Sequence, residues 1–180
     1  MAVRDILRMG HPLLAQRARE VERFDASLIE LVQDMKETLR SVNGAGLAAP
    51  QIGISQRVVV FGLGRSPRYP NMPDIPETVL VNPRITFPDE EKETAWEGCL
   101  SVPGMRGEVT RPANIVYEGF DEHGHLFTRE VSGFHARVVQ HECDHLDGVL
   151  YPARIHDLSR FGFVSELEAA GLIPPPDDKR

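Results

Sequence analysis

Cysteine is nearly absent from this chain, with two residues among 180, too few for the disulfide framework of a small secreted domain. A surplus of positive charge is missing as well. Twenty Lys and Arg stand against 27 Asp and Glu, giving a net charge of -7 and a pI near 5.5, so no direct nucleic-acid binding through a basic face is expected. No apolar run reaches the roughly 18 residues that would suggest a membrane span. The N-terminal stretch "MAVRDILRMGHPLLAQ" lacks the continuous apolar core of an export signal. A transit peptide is disfavoured too, because Gly10-His11-Pro12 interrupts the Arg-rich stretch and acidic residues follow it. Internal repeats are also missing. These absences point to a protein of a reducing compartment, with a bacterial cytoplasm as the simplest location and no membrane partner.

What the chain does have is enough apolar content, 41%, to bury one sizeable core. One domain is expected over residues 1–173, with the Pro- and Asp-rich 174–180 as a loose tail. The segment from Asp25 places Leu28, Leu31, Val32, Met35, Leu39 and Val42 on one helical stripe, with Asp25 as N-cap and Gly44 near the stop. "GAGLAAPQIG" reads as a loop of closely approaching backbone, and "RVVVFGL" as a strand. The Pro-rich 64–77 reads as a surface loop. Four β-rich runs follow between residues 78 and 131, with turn signals at Asn82-Pro83, Pro103-Gly104 and His123-Gly124, the pattern of an antiparallel meander. A second helix is expected from about Ser132 to Asp147-Gly148, and a short final one within "LSRFGFVSELEAA". The fold class is therefore α+β: antiparallel strands around a central helix, with an N-terminal and a C-terminal helix.

That central helix carries "HECDH". At about 100° per residue, His141 and His145 lie about 40° apart and share a face, a chelating pair. Glu142 lies beside them, where a carboxylate can act as general base without ligating a metal. Cys143 falls at about 200° from His141, on the side of Val139 and Leu146, so its thiol is expected to pack in the core rather than bind the same ion. The pair needs a third ligand, and Cys99, His156, Glu166 and Glu168 are the candidates. A metzincin pattern fails because Tyr151 stands where a third histidine belongs. A thermolysin-like site using Glu166 and a Cys-His-His site using Cys99 both remain open on spacing, as does a structural zinc module. Glu142 argues against the last, since a structural site has no need of a base.

Three stretches together resemble the peptide deformylase family: "GAGLAAPQ" at residues 44–51, "EGCLS" at 97–101 and "HECDH" at 141–145. They stand in the family's order, and the similarity runs from about "RMGHPLL" to "DGVLYPARI". Ala45 and Cys143 depart mildly from the usual residues. The resemblance implies Cys99, His141 and His145 as metal ligands, Glu142 as the catalytic acid and base, and Gln51 with the Leu100 backbone N–H around the reacting carbonyl. It implies removal of the formyl group from formyl-methionyl nascent peptides, with release of formate. One divalent ion per chain is expected. Thiolate and imidazole ligands suit Zn(2+), Fe(2+), Co(2+) or Ni(2+) alike, and the resemblance implies Fe(2+) as the working ion. Gly46, Gly98 and Arg106 are expected to meet substrate, with Trp96 and the loop near Met105 among the pocket walls. Asp144 is placed to pair with Arg111, and Arg106 to meet substrate or Glu97. Transient ribosome association would suit an enzyme of nascent chains, although the C-terminus carries no basic helix for ribosomal RNA.

Overall fold

The run Val58-Val59-Val60-Phe61 has no polar alternation because both of its faces are covered. Val58 and Val60 belong to one buried cluster with Leu28, Val32, Met35 and Leu39. Val59 and Phe61 belong to another with Val139, Cys143 and Leu146. The strand is thus sandwiched between two helices, and a period of two sends alternate side chains to opposite layers. The computed structural model describes residues 2–62 and 73–174.

In chain order the regular elements are α1 (Ala26–Ser41), β1 (Gly46–Ala48), β2 (Val58–Phe61), β3 (Thr78–Thr86), β4 (Lys92–Cys99), β5 (Val102–Pro112), β6 (Asn114–Phe120), β7 (Leu126–Ser132), α2 (Gly133–Leu146), β8 (Phe161–Phe163) and α3 (Val164–Ala169). Short 3-10 turns lie at Ala49–Ile52 and Tyr151–Arg154, among others. The pairing is antiparallel throughout the named strands, in a five-stranded sheet ordered β1-β2-β3-β6-β7 and a three-stranded sheet ordered β4-β5-β8. α1 covers one face of the larger sheet and α2 the other.

Helix α1 begins where Asp25 accepts the Ser27 N–H at 3.0 Å, an N-cap that satisfies one of the free first-turn donors. Helix α2 ends at Leu146 with Asp147 as its C-cap, and Gly148 follows with φ +73°, the left-handed stop that glycine accepts most easily. Both helices match the sequence reading.

Several expectations are corrected. Part of the loop expected at "GAGLAAPQIG" is β1, an edge strand paired with β2 through Gly46 and Phe61. Asn82-Pro83 is no turn but a bulge inside β3, where the register shifts between Val81 and Arg84. Asn82 holds φ +50° there because its side-chain amide binds both the N–H and the C=O of Val21, at 2.9 Å each. The hairpin joining β4 and β5 turns at Leu100-Ser101, ahead of Pro103-Gly104, which lie inside β5. The meander is interrupted, since β4 and β5 leave the main sheet to form their own with β8. The short final helix expected within "LSRFGFVSELEAA" is α3, in its second half, preceded by a 3-10 turn at Leu158–Arg160 and by Phe161–Phe163, which pair with β5. The Pro-rich loop lies outside the described residues except for 73–77, and the tail lies outside them except for Pro174.

Candidate active site and metal centre

Strand β4 ends at Cys99 beside α2, which brings a thiol from a hairpin against two imidazoles from a helix. Cys99 Sγ lies 3.3 Å from His145 Nε2, and the ligand atoms of Cys99, His141 and His145 all fall within 4.8 Å of one another. Two ligands of a tetrahedral ion with bonds of about 2.0–2.3 Å stand about 3.3–3.8 Å apart, so the Cys99–His145 separation is that of two ligands on one metal, with the His141 ring nitrogen within 4.8 Å of both. His156 and Glu166, the rival third ligands, are exposed, and neither they nor Glu168 join the group.

The protonation pattern fits as well. Burial pushes the Cys99 thiol up, but the neighbouring His145 and His141 outweigh it and hold Cys99 well below the usual thiol value. A thiolate is the form that binds metal. The Ser101 N–H at 3.4 Å and Gln51 Nε2 at 3.6 Å both donate toward the sulfur.

Glu97, two residues before Cys99, organises the histidine. Its carboxylate is buried with its oxygens taken by Arg111 Nε (2.6 Å), Arg111 NH2 (2.9 Å), Arg137 NH1 (2.7 Å) and His141 Nδ1 (2.9 Å). Burial raises the Glu97 pKa, yet its hydrogen bonds with Arg111 and His141 and their charges drive it far below the carboxylate range. Since an ionised carboxylate only accepts, His141 must donate from Nδ1, which leaves Nε2 as the ligand atom. Asp144 pairs with Arg111 at 2.8 Å, as expected, and also with Arg154 at 2.7 Å. Glu97 takes Arg111 and Arg137 as its arginines.

Glu142 is 5% exposed, and its Oε2 has no hydrogen-bond partner among the described residues. Burial pushes its pKa up to about 7, against the pull of His141 and His145 and with the help of the Cys99 and Glu97 charges. Gly46 packs directly on it: a Cβ there would lie 2.5 Å from Glu142 Oε1. The glycine thus admits the carboxylate as well as lining the cavity in front of it.

That cavity has a volume of about 420 Å³. The expected Gly46, Gln51, Gly98, Leu100, Arg106 and Trp96 line it, together with Cys99, His141 and Glu142, while Met105 does not. Gln51 is oriented by its surroundings. Its Oε1 accepts the Ala48 N–H at 2.8 Å, which turns Nε2 toward Ser101 Oγ at 3.1 Å and the Cys99 sulfur. The amide therefore presents its donor end to the site. Cys143 packs with Val139 and Leu146, and burial pushes its thiol far up.

Two site residues escaped the sequence reading. Ser101, the last residue of "EGCLS", accepts the Gln51 amide at its Oγ. Arg137 lines the cavity with Phe134, Val138 and His141, and donates to Glu97 and to the carbonyls of Val109 and Glu93. Its signal was available, since 134, 137, 138 and 141 share one helical face.

A thiolate-imidazole-imidazole centre beside a buried carboxylate whose Oε2 has no partner among the described residues defines a metal-dependent hydrolase site. Residues 3–161 match the model of the polypeptide deformylase family. A peptide deformylase of Nitrosomonas europaea is 54% identical over 166 residues, covering 92% of this chain and 94% of the relative. One of Ralstonia nicotianae is 52% identical at the same coverage. Among solved structures, a Met-Ala-Ser-bound class I type b deformylase of Acinetobacter baumannii superposes with a TM-score of 0.82 at 37% identity, covering 86% of this chain and 99% of that one. The deformylase of Thermotoga maritima gives 0.78 at 39% identity, with 87% and 100% coverage. The chain belongs to the peptide deformylase family. Its activity is deformylation, and Cys99, His141 and His145 form its metal-binding site.

Proposed function

We propose that the chain removes the formyl group from N-formyl-methionyl peptides with Glu142 as proton carrier, Gln51 and the Leu100 N–H as donors to the reacting carbonyl oxygen, and Fe(2+) as the working ion. The observation that carries this reading is the buried Glu142 carboxylate beside the metal-binding group, with its Oε2 unpartnered among the described residues. Cys99 Sγ, His141 Nε2 and a His145 ring nitrogen would hold the ion, which when bound supplies a Lewis acid that makes water acidic near neutral pH and polarises a carbonyl.

Glu142 takes a proton from the attacking water and returns it to the amine nitrogen as the formyl C–N bond breaks, leaving formate and a free N-terminus. Its pKa near 7 suits a group that must both accept and give a proton at neutral pH. The Gln51 Nε2, fixed by Ala48, and the Leu100 N–H stabilise the oxyanion without reorganising. Gly46, Gly98 and Arg106 line the peptide's path. Residues 1–173 form one catalytic domain in this reading, supported by the family match and the burial of Leu167 and Ile173.

A peptide beginning with methionine is supported by the Acinetobacter relative, whose structure holds Met-Ala-Ser. The curated relatives cited are bacterial, and no described helix is long and apolar enough to cross a membrane, in keeping with work on nascent chains in a bacterial cytoplasm. Transient ribosome association belongs to the same reading, and cosedimentation with ribosomes at low salt tests it. Zn(2+), Ni(2+) or Co(2+) would fill the same ligand set. Ferrous iron beside a thiolate is open to oxidation, so aerobic samples should lose activity faster than nickel-substituted ones, and equal decay rates would contradict iron. Glu142→Gln tests the central role: metal content should match wild type while kcat falls at least a hundredfold, and a kcat near wild type would remove Glu142 from the chemistry.

A further inference from the structure

The segment 2–9 has no regular secondary structure and is largely exposed, yet it is tied down along its whole length. At its start, the Ala2 N–H donates to Asp34 Oδ1 at 2.7 Å. Arg4 donates from Nε and NH2 to Asp34 Oδ2 at 2.8 and 2.6 Å, and its backbone N–H donates to Thr38 Oγ1 at 2.9 Å. Asp34 and Thr38 are buried polar residues of α1. Ile6 packs on the cluster between α1 and the sheet. At the far end the Leu7 N–H donates to the Gln51 carbonyl and the Met9 N–H to the Ser101 carbonyl, each at 2.8 Å.

The last two bonds join parts of the chain that have no covalent reason to stay in register. Gln51 belongs to the 3-10 turn after β1 and Ser101 to the hairpin after β4. Their side chains meet across the site, Gln51 Nε2 on Ser101 Oγ at 3.1 Å. Two donors two residues apart on one strap thus fix the backbones behind a polar pair that faces the reacting groups.

We propose that residues 2–9 are a positioning strap, anchored on Asp34 of α1, that holds the backbones of Gln51 and Ser101 so that the Gln51 amide stays aimed at the reacting carbonyl. The proposal rests on the reading of Gln51 as a donor to that carbonyl. None of the strap residues needs to touch substrate. Exposed segments open at low free-energy cost, so the anchor at Asp34 decides how often the wall behind Gln51 is released. Removing an oxyanion donor outright costs about 10²–10³-fold in kcat, and loosening its support should cost a fraction of that, about three- to tenfold.

The experiment uses the metal-loaded full chain and formyl-Met-Ala, with Arg4→Ala, Asp34→Ala, Gln51→Ala and the two doubles that combine each strap variant with Gln51→Ala. Arg4 is largely exposed, so its variant keeps the fold even if loss of the buried Asp34 does not. Kinetics are taken below the melting point of every variant, and amide exchange at Leu7 and Met9 is followed in parallel. Both strap variants should exchange faster at those amides, lower kcat about three- to tenfold and leave KM within twofold. In the Gln51→Ala background the strap variants should lower kcat no further, because the two changes act through one group. An equal further loss in that background would overturn the strap, since it would mean a general loss of structure. Faster exchange with unchanged kcat would overturn it too, and wild-type exchange in both variants would remove Asp34 as the anchor. Should Gln51→Ala itself leave kcat unchanged, the donor role of Gln51 fails and the strap fails with it. A full effect of Gln51→Ala without any effect of the strap variants overturns the strap alone.

Discussion

Replacing Gly46 by alanine should disable the enzyme without emptying its metal site. The added Cβ would lie 2.5 Å from Glu142 Oε1 and 2.7 Å from both Cδ and Cγ, where ordinary contact needs about 3.5 Å or more. Gly46 is not at a positive φ, so the cost is one of space. Strand β1 cannot yield easily, because it is paired with β2 and its Leu47 and Ala48 are buried on opposite faces. The carboxylate must therefore withdraw by about 1 Å, a misplacement that typically costs about a hundredfold in rate. Overpacking a tight interior costs about 1–3 kcal/mol, or about 2–4 °C of melting temperature per kcal/mol for a chain of this size. Formate release from formyl-Met-Ala, measured beside bound metal and thermal unfolding, separates these effects. A kcat down about a hundredfold with full metal content is expected, because the Cys99, His141 and His145 ligands are untouched. A kcat within threefold of wild type would show that Glu142 is not confined by Gly46, and the reasoning would fail.

The two cysteines should behave oppositely. Cys99→Ala should lose both metal and activity, whereas Cys143→Ala, a buried thiol packed with Val139 and Leu146, should keep both, as metal analysis and formate release would record. Glu97→Gln leaves Arg111 and Arg137 buried without a full counter-charge, so unfolding in urea should reveal a loss of about 3–5 kcal/mol. Chelator competition on the same variant should show metal affinity reduced about 10–100-fold through His141. Asp34 has a lowered pKa, caused by the Ala2 N–H and by Arg4. The unfolded chain therefore binds its proton more readily, so this contribution to stability is complete above the ordinary value of 3.8 and is lost as pH falls through the folded value. Against wild type, Asp34→Asn should lack that acid-side decline; denaturant melts between pH 2 and 6 with the same decline in both would refute the assignment.

The two long helices were legible because each carries its own evidence: an apolar stripe, an Asp25 cap, a Gly148 stop. The bulge at Asn82 was not, since the residue that stabilises its left-handed backbone is Val21, 61 positions away. Strand β8 was hidden for a similar reason. Phe161-Gly162-Phe163 becomes a strand only because β5 offers an edge, and no local pattern announces it. The site divides in the same way. The helical face of His141, Glu142 and His145, and the exclusion of Cys143 from it, follow from the angle between residues. The Cys99 partnership rested on the resemblance, because spacing left Glu166 open until the fold brought β4 against α2. The layer behind the ligands, with Arg137 and Arg111 on Glu97, depends on side chains from β4, β5 and α2 meeting in space, although the place of Arg137 on the His141 face could have suggested it.

The most direct test of the account is release of formate from formyl-Met-Ala by the purified chain. The account predicts formate in step with free amine, lost on chelation, restored by Fe(2+) or Ni(2+), and absent from metal-loaded Glu142→Ala. No formate in any metal form, or undiminished release by Glu142→Ala, would contradict it.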